Sequence, residues 1–317
     1  MTFSIRKLFV RMRHAEPVNL AGKAMIVTGT GRGSLGFATA RTLAAWGASV
    51  VVTTRSHTDA IVEALRAQLP DDEARARIMG HALDLSRRDS VEEFARWLTE
   101  TGGDQLDVLI NNAGVHLDLL SKWKEPRLTS DGFETHWRIN YLGTAHLTHR
   151  LLPLLEKAGQ QIGDARIVTV GSRLYKKGSN EDMLEATRAY NSWNAYGNSK
   201  LALMHMTSEI QRRYADRSHL QAYCLHPGAV FTRVADKGLE ETGLIQTVRS
   251  AMAPVEAFFL KTPDEGAQTQ IHCATHPGLA GGIYFTDCQP REPGQDACDA
   301  EVAGRLWDAT QEWIRGG

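Results

Sequence analysis

The stretch AMIVTGTGRGSLGFATARTLAAWGASVVVTT, residues 24–54, contains two short apolar runs separated by a glycine-rich turn and a segment with helical periodicity. The runs at 24–29 and 49–54 each predict a buried strand, and the spacing of apolar residues such as Phe37 and Leu43 predicts a helix between them. A glycine-rich turn between a strand and a helix places backbone N–H groups where they can bind a phosphate. The stretch therefore predicts a βαβ unit that binds a nucleotide, with a plain βα turn as the alternative.

The rest of the chain repeats this alternation of apolar runs and helical periods, which favours a parallel, doubly wound α/β sheet of the Rossmann type. Further strands are predicted near residues 78–85, 106–114, 166–172, 220–232 and 281–287, and a long helix is predicted over 128–156. No linker or repeat interrupts the pattern. We therefore expect an N-terminal arm at 1–20 and a single dinucleotide-binding and catalytic domain at 21–317, with an apolar lid inserted at about 231–262.

Composition narrows the class of protein. The 317 residues carry a net charge of −1, which does not predict a nucleic-acid-binding surface. Four scattered cysteines predict reduced thiols and a cytoplasmic location, and no apolar run is long enough to span a membrane. The arm, SIRKLFVRMRH, mixes basic and apolar residues, so peripheral contact with an anionic membrane is an alternative to packing on the domain. His146 and His149 lie near each other on the predicted helix without a third ligand, so no metal is expected.

The end of the second strand indicates which cofactor the site prefers. A site for NAD usually ends this strand with an acidic residue that binds the ribose hydroxyls. Here the strand ends in Thr53, Thr54 and Arg55, and Arg32 lies in the glycine-rich turn. Because guanidinium groups bind a 2′-phosphate that a carboxylate would repel, NADP(H) is expected in preference to NAD(H).

The segment YGNSK, residues 196–200, is the chemical signature of the chain. Its tyrosine and lysine lie one helical turn apart, so the ammonium of Lys200 can stand beside the phenol of Tyr196. We expect this cation to lower the phenol pKa from its usual value of about 10 toward the range useful for proton transfer. A core tyrosine with a surface lysine is the alternative.

In order along the chain, TGTGRGSLG, LDLS, NNAG, Asn140, Ser172, YGNSK and PGAVFT together resemble the short-chain dehydrogenase/reductase family. The later segments KTPDEGAQT, YFTDC and RLWDAT are similar to its retinol-dehydrogenase-like branch. The resemblance covers the chain from about residue 21. It implies the same α/β fold and a nicotinamide cofactor.

The resemblance also implies a catalytic tetrad of Asn140, Ser172, Tyr196 and Lys200. Tyr196 would act as general acid in reduction and general base in oxidation, and Lys200 would lower its pKa and bind the nicotinamide ribose. Ser172 would bind the substrate oxygen, and Asn140 would position a water. Asn111 would brace the fourth strand against the cofactor.

The same resemblance implies a set of cofactor contacts. They are Gly29, Gly31, Arg32, Ser34, Leu35, Gly36, Arg55, Asp84, Leu85, Asn112, Ala113, Gly114, Tyr196, Lys200, Pro227, Gly228, Val230 and Thr232. The glycine-rich turn is one residue longer than the family pattern, and Ser34 falls where a glycine is expected. The register of this turn is therefore a specific question for the structure.

These inferences predict an NADP(H)-dependent oxidoreductase that interconverts a carbonyl and an alcohol. Apolar residues at 173–195 and in the lid indicate a lipophilic substrate. The alternatives are a carbon–carbon double-bond reductase with the same fold and a non-catalytic NADP-binding regulatory protein. Because family members often pair through the helices that carry Asn140 and Tyr196, the resemblance also implies a homodimer or homotetramer.

Overall fold

The computed structural model describes residues 13–101, 104–185, 189–230 and 261–316. Most of the N-terminal arm and nearly all of the predicted lid, with Thr232, lie outside these residues.

A single mixed sheet forms the centre of the described chain. Its strands are β1 Ala24–Thr28, β2 Ser49–Thr54, β3 Ile78–Ala82, β4 Val108–Asn111, β5 Ala165–Val170, β6 Leu220–His226, β7 Tyr284–Thr286 and β8 Gln289–Arg291. The order is β3-β2-β1-β4-β5-β6-β7-β8, and only the pairing of β7 with β8 is antiparallel. This architecture confirms the predicted Rossmann-type α/β fold, although the sequence pattern did not indicate β8.

Helices cover both faces of this sheet. They are α1 Leu35–Ala45, α2 Thr58–Arg66, α3 Asp72–Ala76, α4 Arg88–Glu100, α5 Gly143–Ile162, α6 Asn180–Glu185, α7 Ser192–Ser218, α8 Pro263–Thr275 and α9 Ala300–Arg315. Successive residues of a strand point to opposite faces, so Val27 packs in the core beneath α1 and α8 while Ile26 packs in the core beneath α4, α5 and α7. No helix in the described part of the chain has the length and apolarity needed to cross a membrane.

Most predicted strands are a few residues shorter in the structure, and the two largest boundary differences concern one helix and one strand. The helix expected over 128–156 begins late, with a π-helical turn at Trp137–Leu142, because Leu128 pairs with Glu134 in an isolated bridge. Between these two residues, Thr129 Oγ1 bonds the side chain of Asp131 and forms a local turn that competes with helix formation. The strand expected over 220–232 ends at His226 because the following proline has no N–H group.

Helix α9 packs over α7 and over the start of the long helix that ends in α5. The hydroxyl groups of Tyr141 and Thr310 are hydrogen-bonded at 2.7 Å, and Trp313 lies under the guanidinium groups of Arg88 and Arg138. Part of the surface of the two helices that carry Asn140 and Tyr196 is therefore occupied by the chain's own last helix. Pairing of two chains through these helices stays a prediction.

Candidate active site

An open groove of about 550 Å³ runs along the carboxyl ends of β2, β1 and β4. The strand order reverses between β1 and β4, which is where sheets of this kind bind ligands. The predicted cofactor contacts that line the groove are Gly29, Gly31, Arg32, Ser34, Leu35, Arg55, Asp84, Leu85, Asn112, Ala113 and Gly114. Backbone geometry therefore brings together four segments that are far apart in the sequence, one after each of β1, β2, β3 and β4.

The structure defines the register of the longer glycine-rich turn. Ser34 is the N-cap of α1, because its Oγ accepts a hydrogen bond from Phe37 N at 3.1 Å and donates to Gly29 O at 3.2 Å. Gly36 is a close-packing position, since a Cβ there would lie 2.5 Å from Nδ2 of Asn112. The serine thus replaces the expected glycine without blocking the turn.

The space beside this turn is open, as a bound pyrophosphate would require. Gly33 has a φ of +71°, which only glycine adopts without strain. A Cβ built on Gly31 or Gly33 would meet nothing within 4 Å, so open space lies beside the loop at the N-terminus of α1. A helix N-terminus beside such space can bind an anion through its N–H groups and its dipole.

Two arginines from different turns line the groove. Arg32 and Arg55 are both exposed and both line it, and one Arg32 nitrogen donates to Ala60 O at 3.2 Å. Asp84 Oδ1 instead accepts hydrogen bonds from the backbone and side chain of Ser86, which fixes the turn after β3. Lining residues that our sequence-based contact set omitted are Thr53, Thr54, Ser56, His57, Ala60, Ile61, Leu83, Val115 and Ile139. Most of them lie within two residues of a predicted contact, so extending each predicted segment by two residues would have found them.

Ser172, Tyr196 and Lys200 come together beyond Gly114. Ser172 lies two residues beyond the end of β5, and its hydroxyl accepts a hydrogen bond from Leu174 N at 3.2 Å and lies near enough to the phenol of Tyr196 on α7 to lower the phenol pKa. Lys200 is 4% exposed, and its Nζ donates to Val170 O at 2.9 Å and lies 5.7 Å from the centre of the Tyr196 ring. A Cβ on Gly114 would lie 3.2 Å from the same Nζ, so the ammonium borders the groove.

The predicted lowering of the Tyr196 pKa is wrong for this ligand-free chain. Desolvation raises the pKa of Tyr196 to about 12, opposed by the hydrogen bond from Ser172. Desolvation also lowers the pKa of Lys200 to about 8. The reason is geometric: the lysine contacts the backbone of β5 rather than the phenol oxygen, and both groups have lost most of their contact with water.

Asn140 links the groove wall to the tyrosine. It is fully buried, accepts a hydrogen bond from Val115 N at 2.8 Å and donates to Val115 O at 3.0 Å. Its Nδ2 also contacts Ser199 Oγ at 3.1 Å, and that hydroxyl donates to Tyr196 O at 2.7 Å. Asn140 thus braces the backbone, which is one of the roles expected for a buried amide.

The remaining predicted contacts lie at neighbouring strand ends. Asn111 Nδ2 donates to Thr148 Oγ1 at 2.9 Å, which ties β4 to α5. Pro227, Gly228 and Val230 follow β6 and contact Lys261: Val230 forms a bridge with it, and a Cβ on Gly228 would lie 2.9 Å from its Nζ. Among the residues that the structure describes, no cluster of three or more His, Cys, Asp or Glu side chains could hold a metal.

Comparison with known protein families identifies the family of this chain. Residues 23–242 match the family described as short chain dehydrogenase. The chain is a short-chain dehydrogenase. This oxidoreductase family uses a nicotinamide cofactor, and the full-length relatives place the chain in its retinol-dehydrogenase-like branch. Retinol dehydrogenase 12 of Bos taurus is 35% identical, with 98% of this chain and 92% of the relative covered. Polyprenol dehydrogenase of Mus musculus is 37% identical, with 90% and 82% covered.

Solved structures of other proteins have the same fold. An uncharacterised protein from Mycobacterium paratuberculosis superposes with a TM-score of 0.69 at 30% identity, covering 95% of this short-chain dehydrogenase and 96% of that chain. The NADP complex of RhlG from Pseudomonas aeruginosa superposes with a TM-score of 0.63 at 24% identity, covering 85% and 96%, and supports the fold alone.

Proposed function

We propose that this short-chain dehydrogenase is an NADP(H)-dependent oxidoreductase that interconverts a carbonyl and an alcohol on a lipophilic substrate. The observation that carries the proposal is that Ser172 and the phenol of Tyr196 are brought together beside a groove bordered by the ammonium of Lys200. The names of the retinol and polyprenol dehydrogenases support an alcohol or carbonyl on a long apolar molecule.

Each residue of the proposed site has a definite task. NADP(H), when bound, supplies or accepts the hydride. The glycine-rich turn at 29–36 holds its pyrophosphate, and Lys200 reaches its ribose. Ser172 binds the substrate oxygen and stabilises the negative charge that develops there. Tyr196 gives this oxygen its proton during reduction, and because its pKa is about 12 it is protonated at neutral pH.

The activity is tested by following NADPH oxidation with a panel of hydrophobic aldehydes and ketones, among them retinal. We expect turnover of at least the more apolar members. Folded, NADPH-binding protein that reduces none of them would contradict the proposal. An α,β-unsaturated ketone in the panel tests for the double-bond reductase, because only reduction of the carbon–carbon bond leaves the carbonyl intact.

The preference for NADP(H) rests on Arg32 and Arg55, which line the groove where β2 ends without an acidic residue. Replacing Arg55 with alanine removes a charged partner of the 2′-phosphate, worth about 1.5–3 kcal/mol. We therefore expect kcat/KM with NADPH to fall about 10- to 100-fold while kcat/KM with NADH changes less than twofold. Arg305→Ala, an exposed arginine on α9, is the matched control. Equal effects on the two cofactors would contradict the assignment.

The cellular location is inferred from the cysteines. We propose a cytoplasmic protein, because all four cysteines are free thiols in the structure. A sedimentation assay with anionic vesicles tests whether the arm adds membrane contact: co-sedimentation that disappears when residues 1–12 are removed would place the protein at the membrane surface.

A further inference from the structure

His116 is a buried histidine in direct contact with the reactive tyrosine. It is 5% exposed, and its ring stacks on that of Tyr196 with centroids 4.3 Å apart and planes inclined by 13°. Trp193 and His136 meet the same imidazole edge-on, at 4.8 and 5.7 Å. His116 follows the groove wall at Gly114 by two residues, so it lies between the predicted cofactor contacts and the phenol.

One nitrogen of this ring has no partner among the residues that the structure describes. Nε2 of His116 is buried, and no described group forms a hydrogen bond with it. The neighbouring His136 differs: its Nδ1 contacts Glu134 Oε1 at 2.7 Å, and its Nε2 accepts from Leu117 N at 3.0 Å. An unpartnered buried nitrogen reduces stability compared with a phenylalanine of similar shape. Such a group calls for a hydrogen-bond partner that the described residues do not supply.

The charge state of His116 limits the chemistry of that partner. Burial is the main cause that lowers the pKa of His116 to about 4, and the nearby His136 is the next. Lys200 also contributes to this lowering, whereas Asp118 opposes it. The imidazole is therefore neutral at pH 7, with one nitrogen a donor and the other an acceptor. A hydroxyl or carbonyl oxygen suits such a ring, whereas a charged group would gain no ion pair.

We propose that His116 is a specificity-determining residue whose Nε2 hydrogen-bonds a second oxygen of the substrate, near the carbon that reacts at Tyr196. Nε2 is closed to solvent, so a substrate oxygen must move part of the cover over it; Tyr196 and Trp193, which form that cover, are only partly buried and accessible to a ligand. The substrate class is a lipophilic ketone or aldehyde with an adjacent hydroxyl or carbonyl, or the corresponding alcohol. This inference rests on the proposed function and specifies its substrate.

The test compares 2-octanone with 2,3-octanedione as NADPH-dependent substrates. The measured quantity is the ratio of their kcat/KM values, dione over monoketone, in wild type and in His116→Phe. The phenylalanine keeps an aromatic ring against Tyr196 and removes the nitrogen, and the intrinsic reactivity of the dione cancels between the two proteins. We expect the ratio to fall about fivefold, the effect of one neutral hydrogen bond.

Two further variants make the result specific. His116→Gln places a side-chain amide near the position of Nε2 and is expected to recover at least half of the wild-type ratio. His149→Phe makes the same chemical change at a histidine whose Nδ1 also lacks a partner within the described part of the chain but which lines a small cavity against α9, and its ratio is expected to stay at the wild-type value. If His116→Phe does not fold, His116→Met serves as the apolar variant.

Three results overturn the inference and leave the proposed function standing. All three leave the ratio unchanged in His116→Phe: activity equal to wild type, an equal loss for both substrates, which would show that the ring only positions Tyr196, and a weaker Kd for NADPH, which would show that the ring acts on cofactor binding. If wild-type protein reduces neither octanone nor any carbonyl of the panel, the proposed function itself fails and the inference fails with it.

Discussion

The cofactor groove and the tyrosine site lie side by side but are built differently. The groove is formed largely by backbone, and its central turn is one continuous segment from Gly29 to Gly36. The tyrosine site is formed by side chains from three separate places: His116 after β4, Ser172 after β5, and Tyr196 with Lys200 on α7. The comparison shows that local sequence specifies a backbone cradle, whereas the electrostatics of a side-chain cluster depend on packing.

Asn140 is the point where the two regions meet. Its hydrogen bonds hold Val115 of the groove wall on one side and Ser199, beside Tyr196, on the other. The two regions share Lys200 at their border, but the glycine-rich turn and the proton donor are different groups, so a change confined to one of these two should leave the other measurable.

The largest effect is expected for Tyr196→Phe, which removes the proton donor and keeps the ring stacked on His116. We expect kcat for carbonyl reduction to fall by about 10³-fold or more, within the range lost with a general acid. The Kd for NADPH, measured by fluorescence titration, should change less than twofold. Retained turnover would show that another group supplies the proton, and lost NADPH binding would show that the two regions are not separable.

A change in the other region, Gly36→Ala, should distort the cofactor groove. The new Cβ would lie 2.5 Å from Asn112 Nδ2 and 2.7 Å from Gly29 O, so the turn must shift. We expect a loss of about 1–3 kcal/mol in the free energy of unfolding and a more than tenfold weaker Kd for NADPH. Gly304→Ala on α9 is the control, because its Cβ would meet nothing within 4 Å. Equal NADPH affinity in Gly36→Ala and wild type would contradict the close packing seen here.

The pH dependence of reduction sharpens the electrostatic part of the comparison. Lys200 has a pKa lowered to about 8 by desolvation, so its ammonium is present at pH 7 and is lost as the pH rises through 8. Tyr196 stays protonated over this range. We expect kcat/KM to be level at pH 6–7 and to decline above about pH 8. Lys200→Arg keeps the charge and should remove this decline at a lower overall rate; persistence of the decline in that variant would assign it to another group.

The smallest effect is expected for Tyr141→Phe, next to Asn140 but facing α9. It removes the buried hydrogen bond to Thr310 and should cost about 1 kcal/mol of unfolding free energy. Because Tyr141 faces α9 and not the groove, kcat and the Kd for NADPH should remain at wild-type values. Thermal unfolding and steady-state kinetics on the same preparation check both expectations.

Particular residues show how far prediction from sequence reached. The strand, turn and helix at 24–45 and the helix that carries Tyr196 were predicted, because hydrophobic periodicity and glycine spacing are local signals. The late start of the helix near Trp137 was missed because a local turn at Thr129 competes with an apparently helical pattern. No local sequence pattern identified His116 as a site residue, because a single histidine after a strand indicates a function only when its neighbours in the fold are known.

By itself, the sequence determined the α/β fold, the family and the glycine-rich turn, because these depend on patterns that repeat or lie within a few residues. Only the tertiary structure decided that Ser34 caps α1, that Lys200 contacts Val170 rather than the phenol oxygen, and that Tyr196 is stacked on His116. Desolvation and distance between groups far apart in the chain set these properties, and both arise only when the chain is folded.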